Sequence, residues 1–473
     1  MYATIAGFIS SVSNAMYSFL LIVMLLAVGL YFSIRTGFVQ FRGLGESIRL
    51  IGEKSDDAKS ISAFQALMVS TASRVGTGNI VGVANAIAIG GYGAVFWMWI
   101  IAVVGGASAF IESTLAQIYK KSDGHGGSYG GPAYYIEAAL GKRALGVIFA
   151  VALIATYAVG FNMLCSFNLV SSLSEYSFYG DPATSKVPVI CGLVLAVLVG
   201  ICVLGGGKRI VKVTGVLVPV MGIVYVLMAL TVMLLNFNML PAVFAKIFSS
   251  AFDFRAIFGG FAGSALMQGI KRGLYSNEAG VGSAPNAAAA AKVSHPVKQG
   301  LVQMLSVFID TLVICTATAM MCLSSGIVPS EELKGAAFVQ TALATNFGNF
   351  GYYFITASLL LFAFTTLLGN LFYCEGCLNY IAKKNVSKNV LTVFNLAACV
   401  IIFAGALLDF GLVWDLADVL MGIMAIINLP VIVILGKPAL DALKDYFSQR
   451  NEGKDPFFKA ASIGLKTKTD FWN

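Results

Sequence analysis

Thr71-Ala-Ser-Arg-Val-Gly-Thr-Gly-Asn-Ile-Val-Gly-Val-Ala-Asn85 is the stretch on which the reading of this chain turns. It lies inside an apolar run near 61 to 90, yet its middle is dense in Gly, Ser, Thr and Asn and carries Arg74. Gly lowers helix stability by roughly 1 kcal/mol against Ala, and hydroxyl and amide side chains compete for backbone groups, so the helix is expected to unwind here. Unwound backbone at membrane depth survives only where it lines a cavity or is buried in protein. A second stretch of the same kind, Gln268-Gly-Ile-Lys-Arg-Gly-Leu-Tyr-Ser-Asn-Glu-Ala-Gly-Val-Gly-Ser-Ala-Pro-Asn286, interrupts the run 254 to 291.

Around both stretches the chain is apolar from end to end. Of 473 residues 58% are hydrophobic and 11% charged, more apolar surface than a soluble core hides without large exposed patches. Lipid is the expected solvent. Runs of the length a helix needs to cross hydrocarbon, roughly 20 residues, fall near 15 to 34, 61 to 90, 93 to 119, 145 to 170, 187 to 204, 213 to 236, 254 to 291, 297 to 324, 350 to 381, 390 to 408 and 413 to 435. The fold class is an all-α membrane protein of about eleven transmembrane helices. The Gly-rich stretches are the second and seventh, so a lone leading helix precedes two sets of five, each opening with a broken helix. Five is odd, and the two sets therefore have opposite topology. Gly-interrupted segments at corresponding positions of two halves point to a transporter binding site; the competing account is that the glycines only allow close helix packing. The expected divisions are 1–60 for the leading helix and a cytoplasmic amphipathic segment, 61–236 and 254–435 for the repeats, 237–253 for an outer loop and 436–473 for a cytoplasmic tail.

Charge orients the spans, because Lys and Arg accumulate in short cytoplasmic loops. With the N-terminus outside, the inner segments 35–59, 120–143, 208–212, 292–298, 383–388 and 437–468 hold 24 of the 31 basic residues. The net charge of +8 is then topology, and no basic stripe with interleaved aromatics suggests nucleic acid. The first apolar run is too long for a cleaved signal peptide and is read as a permanent helix in the cell membrane. The eight Cys form no disulfide framework, and Cys374 and Cys377, a lone CxxC on a helix, read as small helix residues rather than a metal site. His125 and His295 fall in inner loops. Residues 40 to 54 read as an amphipathic surface helix with Arg42 and Arg49 near headgroups. Residues 334 to 348 read as a short outer helix, either a lid or a plain cap on its loop.

A broken helix brings free carbonyls, which attract cations, and free N–H groups, which attract anions, to the membrane midplane. A zwitterion suits such a place. The carbonyls of Ala72 and Val75 would face a cation, the N–H groups of Thr77 and Gly78 with the Thr77 hydroxyl would hold a carboxylate, and Asn79 can serve either. Gly76 and Gly78 leave the backbone open to direct contact. In the ninth span Thr365 and Thr366 supply adjacent hydroxyls that fit a hard cation such as sodium, unless each bonds back to its own helix. Charges at this depth are expected to be paired, wet or functional: Arg74, Glu112, Lys271, Arg272, Glu278 and Asp310. Arg74 either meets a substrate carboxylate or, the favoured reading, pairs with Glu278 as a strut between the broken helices. Lys271 and Arg272 beside Glu278 suggest a water-reached inner half of the seventh span and a gate to the cytoplasm, while Glu112 near its inner end snorkels.

Arg74-Val-Gly-Thr-Gly-Asn-Ile80, Gly90-Gly-Tyr-Gly-Ala-Val-Phe-Trp-Met-Trp99 and the segment Gln268 to Ala288 resemble the alanine/glycine:sodium symporter family, along essentially the whole chain. The resemblance implies the five-plus-five inverted-repeat (LeuT-like) fold, alternating access, alanine or glycine as substrate and sodium as coupling ion, with no other cofactor. It places sodium at the backbone of Ala72 and Val75 with the Thr365 and Thr366 hydroxyls and a carbonyl from Phe362. It places the substrate carboxylate at Gly76, Thr77 and Gly78 with Asn79 adjacent, and makes Gln268, Ser276 and Asn277 the polar candidates on the other broken helix. Arg74 stands where relatives of the fold carry a small residue, which puts a second sodium site there in question. Membrane lipid and the two solutes are the expected partners, with no obligatory protein partner.

Two other readings compete. In a proton-coupled or uncoupled permease, Glu112, Glu278 or Asp310 would titrate in place of sodium binding. A membrane hydrolase lacks support, since HExxH is absent and neither His is placed in a span, and broken helices with midplane charge suit occlusion better than an open channel.

Overall fold

Among the described residues, eight helices in the computed structural model are long and apolar enough to cross a membrane: Thr4–Arg35, Gly93–Ile118, Arg143–Ser171, Gly207–Leu235, Pro296–Leu323, Asn349–Ala382, Lys388–Gly405 and Gly411–Asn451. The shorter Val187–Val203 and the two broken helices complete the expected eleven. The structure describes residues 2–53, 60–252, 264–330, 333–408 and 410–473. The expected beginning of the seventh span, 254 to 263, lies outside them, as do Lys54 and Lys59 of the first inner segment.

Several boundaries differ from the sequence reading. The leading helix starts at Tyr2 rather than near 15 and passes through a π-turn at Met16–Leu20. The last helix continues through Pro430 and Pro438 to Asn451. In the expected outer loop, Leu240–Ala251 is a helix that packs on Gly93–Ile118, where the Trp97 indole N–H donates to the Ala251 carbonyl at 2.9 Å. The amphipathic segment is two short helices, Val39–Arg42 and Leu44–Ile51, and its arginines engage protein. Arg42 lies over the Phe447 ring, and Arg49 pairs with Glu46 at 2.8 Å. Hydrogen bonds from Arg49 hold the Glu46 carboxyl down at about 2. The helix expected over 334 to 348 is present as Gly335–Phe347, tied to the fourth span by Gln340 Nε2 donating to the Ser172 carbonyl at 2.8 Å.

The broken helices are held at both ends. At one, Gly269 and Gly273 let Ala265–Asn277 lie directly on Gly93–Ile118: a Cβ at Gly273 would stand 2.5 Å from Ile101, and one at Gly269 would strike the Ala94 carbonyl. This is small-xxx-small packing, so for these two glycines the close-packing account is the right one. At the other end Ile61 and Ala291 form an isolated bridge, with the Lys292 N–H donating to the Ile61 carbonyl at 2.9 Å. There the last carbonyls of the short helix Pro285–Ala290 are taken by side chains from the third span and its hairpin. Gln117 Nε2 donates to Ala291 at 2.9 Å, Lys120 Nζ to the same carbonyl at 2.9 Å and Ser128 Oγ to Ala289 at 2.7 Å. The tail continues this end, with the Phe458 N–H on the Ser294 carbonyl and the Trp472 indole on the Gln117 carbonyl.

His295 caps the helix Pro296–Val307, its Nδ1 accepting from the Val297 N–H at 3.2 Å. That fixes Nε2 as the protonated nitrogen, which donates to Asp445 at 3.1 Å. Burial pushes the His295 pKa down to about 4, so the folded protein holds the ring neutral. A depressed histidine pKa contributes stability that is present above the unfolded value near 6.5 and lost as pH falls toward 4. The unfolding temperature in detergent should therefore fall between pH 6.5 and 4.5, and the fall should shrink in His295→Asn, which keeps a capping oxygen but does not titrate. An identical fall in the variant would remove His295 from this role.

Candidate functional site

The first broken helix runs as Ala63–Arg74, loses helical geometry at Val75 (ψ 83°) and Gly76, and restarts as a π-helix, Gly78–Gly82, continued by Val83–Gly90. The second runs as Ala265–Asn277, turns left-handed at Glu278 (φ 53°), passes Gly280 (φ 84°) and Gly282 (φ 89°), and restarts as Pro285–Ala290. Both unwind where the sequence places Gly among polar residues.

Asn79 joins the two breaks. Its Oδ1 accepts the Gly76 N–H at 2.8 Å, closing the first break on itself. Its Nδ2 donates to Ser276 Oγ at 3.0 Å and to Asp310 Oδ1 at 2.7 Å. Ser276 donates to the other Asp310 oxygen, Thr311 does so at 3.0 Å, and Asn277 Nδ2 reaches Thr311 at 3.2 Å. Thr318 donates to the Asn79 carbonyl at 2.7 Å. Asp310, Asn79, Asn277, Thr311 and Thr318 are fully buried, so one carboxylate in the eighth span gathers donors from both broken helices. The sequence reading counted Asp310 among the deep charges but outside the site.

Around the first break, Thr366 of the ninth span donates to the Ala72 carbonyl at 3.0 Å, and a Cβ at Gly76 would collide with the Thr366 hydroxyl. Ala72, Gly76 and Thr366 thus meet as a hydroxyl on a freed carbonyl end. Thr365 does not join them: its hydroxyl donates to the Leu361 carbonyl at 2.9 Å and the Phe362 carbonyl at 3.2 Å, bonding back to its own helix. The Phe362 carbonyl is therefore engaged, while its ring packs on Tyr225. Ser73 donates to Asn370 at 2.7 Å and Asn370 to Asn162 at 3.0 Å, a further link between these spans.

Thr77 faces the fourth span, accepting from Asn168 Nδ2 at 2.9 Å and donating to Cys165 Sγ at 3.8 Å. The Tyr275 ring lies against Gly78, in space a Cβ would occupy, and packs on Phe161 at 4.9 Å and Trp414 at 5.2 Å between centroids. Tyr275 thus covers the turn at Gly78, backed by Phe161 and Trp414. Gln268, by contrast, lies beside Gly90 at the far end of the first broken helix, nine residues before Asn277, about 13 Å along a helix.

The charges are arranged differently from expectation. Arg74 makes no ion pair with Glu278 within 4 Å; its Nη1 donates to the Gln303 carbonyl at 3.4 Å, and its Nε and Nη2 have no hydrogen-bond partner among the described residues. Glu278 accepts instead from Ser283 at 2.6 Å. Glu112 does not snorkel: fully buried, it accepts from Asn428 Nδ2 at 2.8 Å and the Gly280 N–H at 3.3 Å, holding the second break. Lys271 and Arg272 are 4% and 7% exposed, and their partner is Asp418 of the last helix, at 2.8 Å from Lys271 Nζ and in two bonds of 3.2 and 2.9 Å from Arg272. Lys271 also donates to Ser13 of the leading helix at 2.9 Å. These cations belong to the half of the second broken helix remote from the Ile61–Ala291 bridge, on the side of the leading helix, and are buried and paired, so the expected water-reached surroundings are not what the structure shows.

Asp415, Asp418 and Asn428 sit in an apolar run like the other deep polar residues and were visible by the same rule, since Lys271 and Arg272 required a counter-charge. Tyr275, Phe161 and Asn168 carry no signal of that kind. Cys374 and Cys377 are buried free thiols, and no group of three or more His, Cys, Asp or Glu able to hold a metal occurs among the described residues. What the site offers is neutral oxygen at one helix end, which can attract a cation, and N–H groups at the start of the next, which can attract an anion.

The model of the sodium:alanine symporter family matches residues 2–460. The chain is 45% identical to the amino-acid carrier protein AlsT of Bacillus subtilis, covering 97% of each chain. It is 46% identical to the probable sodium/glutamine symporter GlnT of the same organism (94% of this chain, 91% of that one) and 37% identical to the sodium/alanine symporter AgcS of Methanococcus maripaludis (94% and 98%). Among solved structures it resembles MhsT in complex with L-phenylalanine, with a TM-score of 0.55 at 13% identity over 81% of this chain and 96% of that one, a likeness of fold. The relatives are named as carriers and symporters, not enzymes. This multi-pass membrane protein, a LeuT-fold amino-acid symporter, belongs to the sodium:alanine symporter family.

Proposed function

We propose that the protein imports alanine or glycine together with sodium by alternating access, from an outer face that bears its N-terminus to a cytoplasm that holds its tail. The observation that carries the coupling ion is the Thr366 hydroxyl on the freed Ala72 carbonyl, 3.0 Å apart across two spans. Sodium would enter between them, with Val75 supplying a further carbonyl. The substrate carboxylate would lie on the N–H groups of Thr77 and Gly78 beneath Tyr275, and the two repeats, 61–236 and 254–435, would rock about the Asn79–Asp310 junction. A small substrate agrees with a turn already covered by Tyr275, backed by Phe161 and Trp414, and a relative named for alanine supports it; a relative named for glutamine makes that amino acid the competitor to test. Proton coupling draws on one observation, a buried Asp310 bonded to both broken helices.

Uptake of labelled alanine into proteoliposomes under an inward sodium gradient should exceed uptake with potassium or with a proton gradient alone, and unlabelled glycine should compete better than glutamine. Uptake driven by protons without sodium would transfer the coupling to Asp310. Thr366→Ala should raise the half-saturating sodium concentration about tenfold, equivalent to ~1.4 kcal/mol, whereas Thr365→Ala should change it by less than about twofold because its hydroxyl serves its own helix; equal effects would dissolve this assignment. Gly78→Val should abolish alanine binding while the protein still inserts, since its side chain takes the place of the Tyr275 ring, and normal binding would refute a backbone carboxylate site.

A further inference from the structure

A cavity of about 590 Å³ opens on the tail side of the molecule. Its walls come from the hairpin Lys121–Tyr129, the helix Pro132–Leu140, the start of Arg143–Ile154, the end of Asn349–Ala382 and the tail residues Thr467 and Lys468. Five cations line it, Lys121, Arg143, Lys383, Lys384 and Lys468, against one lining carboxylate, Glu137.

Two of the five are committed elsewhere. Arg143 pairs with Glu137 at 3.0 Å and donates to the carbonyls of Tyr380 and Ile381, closing the end of that helix. Lys121 pairs with Asp470 at 2.8 Å. Lys383, Lys384 and Lys468 have no ion-pair partner among the described residues. Lys383 also holds left-handed backbone (φ 57°) as the cap of its helix, so its position is set by the fold. Like charges gathered on one concavity repel one another more than the same charges spread over a convex surface, and a bound anion relieves that repulsion. The remaining lining matches an oxyanion: hydroxyl and amide donors from Ser122, Thr467 and Asn379, beside the Tyr129 and Tyr380 rings.

We propose that this cavity is a binding site for a phosphate-bearing anion, which would tie the C-terminal tail to the ends of the fourth and ninth spans. The location, where two membrane helices end, is the level of lipid headgroups, and basic pockets of this kind on a membrane face receive anionic headgroups. Thr467 and Lys468 lie beyond the residues matched to the family model, 2–460.

The test uses the full chain in phosphatidylcholine nanodiscs, with thermal unfolding followed during addition of inorganic phosphate at ionic strength matched with chloride, and again in nanodiscs containing phosphatidylglycerol. At least one probe should raise the unfolding temperature. A rise with phosphatidylglycerol alone identifies a headgroup and a rise with inorganic phosphate a soluble ligand, and each supports the site. In the triple variant Lys383→Gln, Lys384→Gln and Lys468→Gln, apparent affinity should fall about fivefold for each lysine removed, while the unfolding temperature without anion stays at or above that of the unsubstituted protein. Lys468→Glu alone, a change in the tail that leaves the spans intact, should also weaken binding. No rise with either probe, or the same rise in the unsubstituted and substituted proteins, would overturn the proposal.

Discussion

Backbone polar groups that leave a helix inside a membrane have no water to turn to, and this constraint organises the rest of the structure. Two helices break, and the groups they release are met by a small set of buried side chains. Asn79 takes the Gly76 N–H, while Glu112 takes the Gly280 N–H and Asn428 donates to the Gly280 carbonyl at 3.0 Å. Asn79 and Glu112 each also bond a side chain on a neighbouring span, Asp310 or Asn428. The breaks are thus fixed by a polar network whose members are mutually satisfied, the condition under which buried polarity specifies a structure rather than weakening it.

In the proposed site, the parts left open would carry the function. Ala72 offers its carbonyl to a hydroxyl that a cation can replace, and the N–H groups of Thr77 and Gly78 open the second half of the helix beneath an aromatic wall. The difference between Thr365 and Thr366 follows from helix geometry. Successive residues project about 100° apart, so one hydroxyl meets the neighbouring broken helix and the other turns toward its own carbonyls. A pair of adjacent threonines in a sequence does not reveal which is which.

Span number and the two breaks were legible because each depends on composition along the chain: apolar length and clustered glycine. The polar pairings were not, since a deep charge signals a partner without naming it. Arg74 and Glu278 stand close to their breaks in sequence yet choose the Gln303 carbonyl and Ser283, and Lys271 and Arg272 find Asp418, some 146 residues away. The same limit hid the aromatic wall, because Phe161 and Tyr275 read as ordinary apolar-span residues until the fold brings them to Gly78. Glycine carried two meanings that spacing alone does not separate: at Gly269 and Gly273 it permits helix contact, at Gly76 and Gly78 it opens the backbone.

The two ends of the second broken helix are secured by bonds of different kinds. Near the leading helix, two cations share one carboxylate that is wholly buried. Separating such a group without water leaves an uncompensated charge and costs about 3–5 kcal/mol, so this end can part only if water reaches Asp418. At the other end neutral and lysine donors hold carbonyls at Ala289 and Ala291, bonds worth roughly 1 kcal/mol each that water can replace one by one. The tail adds further bonds of that replaceable kind at Ser294 and Gln117. One end of the helix is therefore held by an all-or-none electrostatic contact and the other by a graded set of hydrogen bonds, and the same unwound turn at Glu278 to Gly282 stands between them.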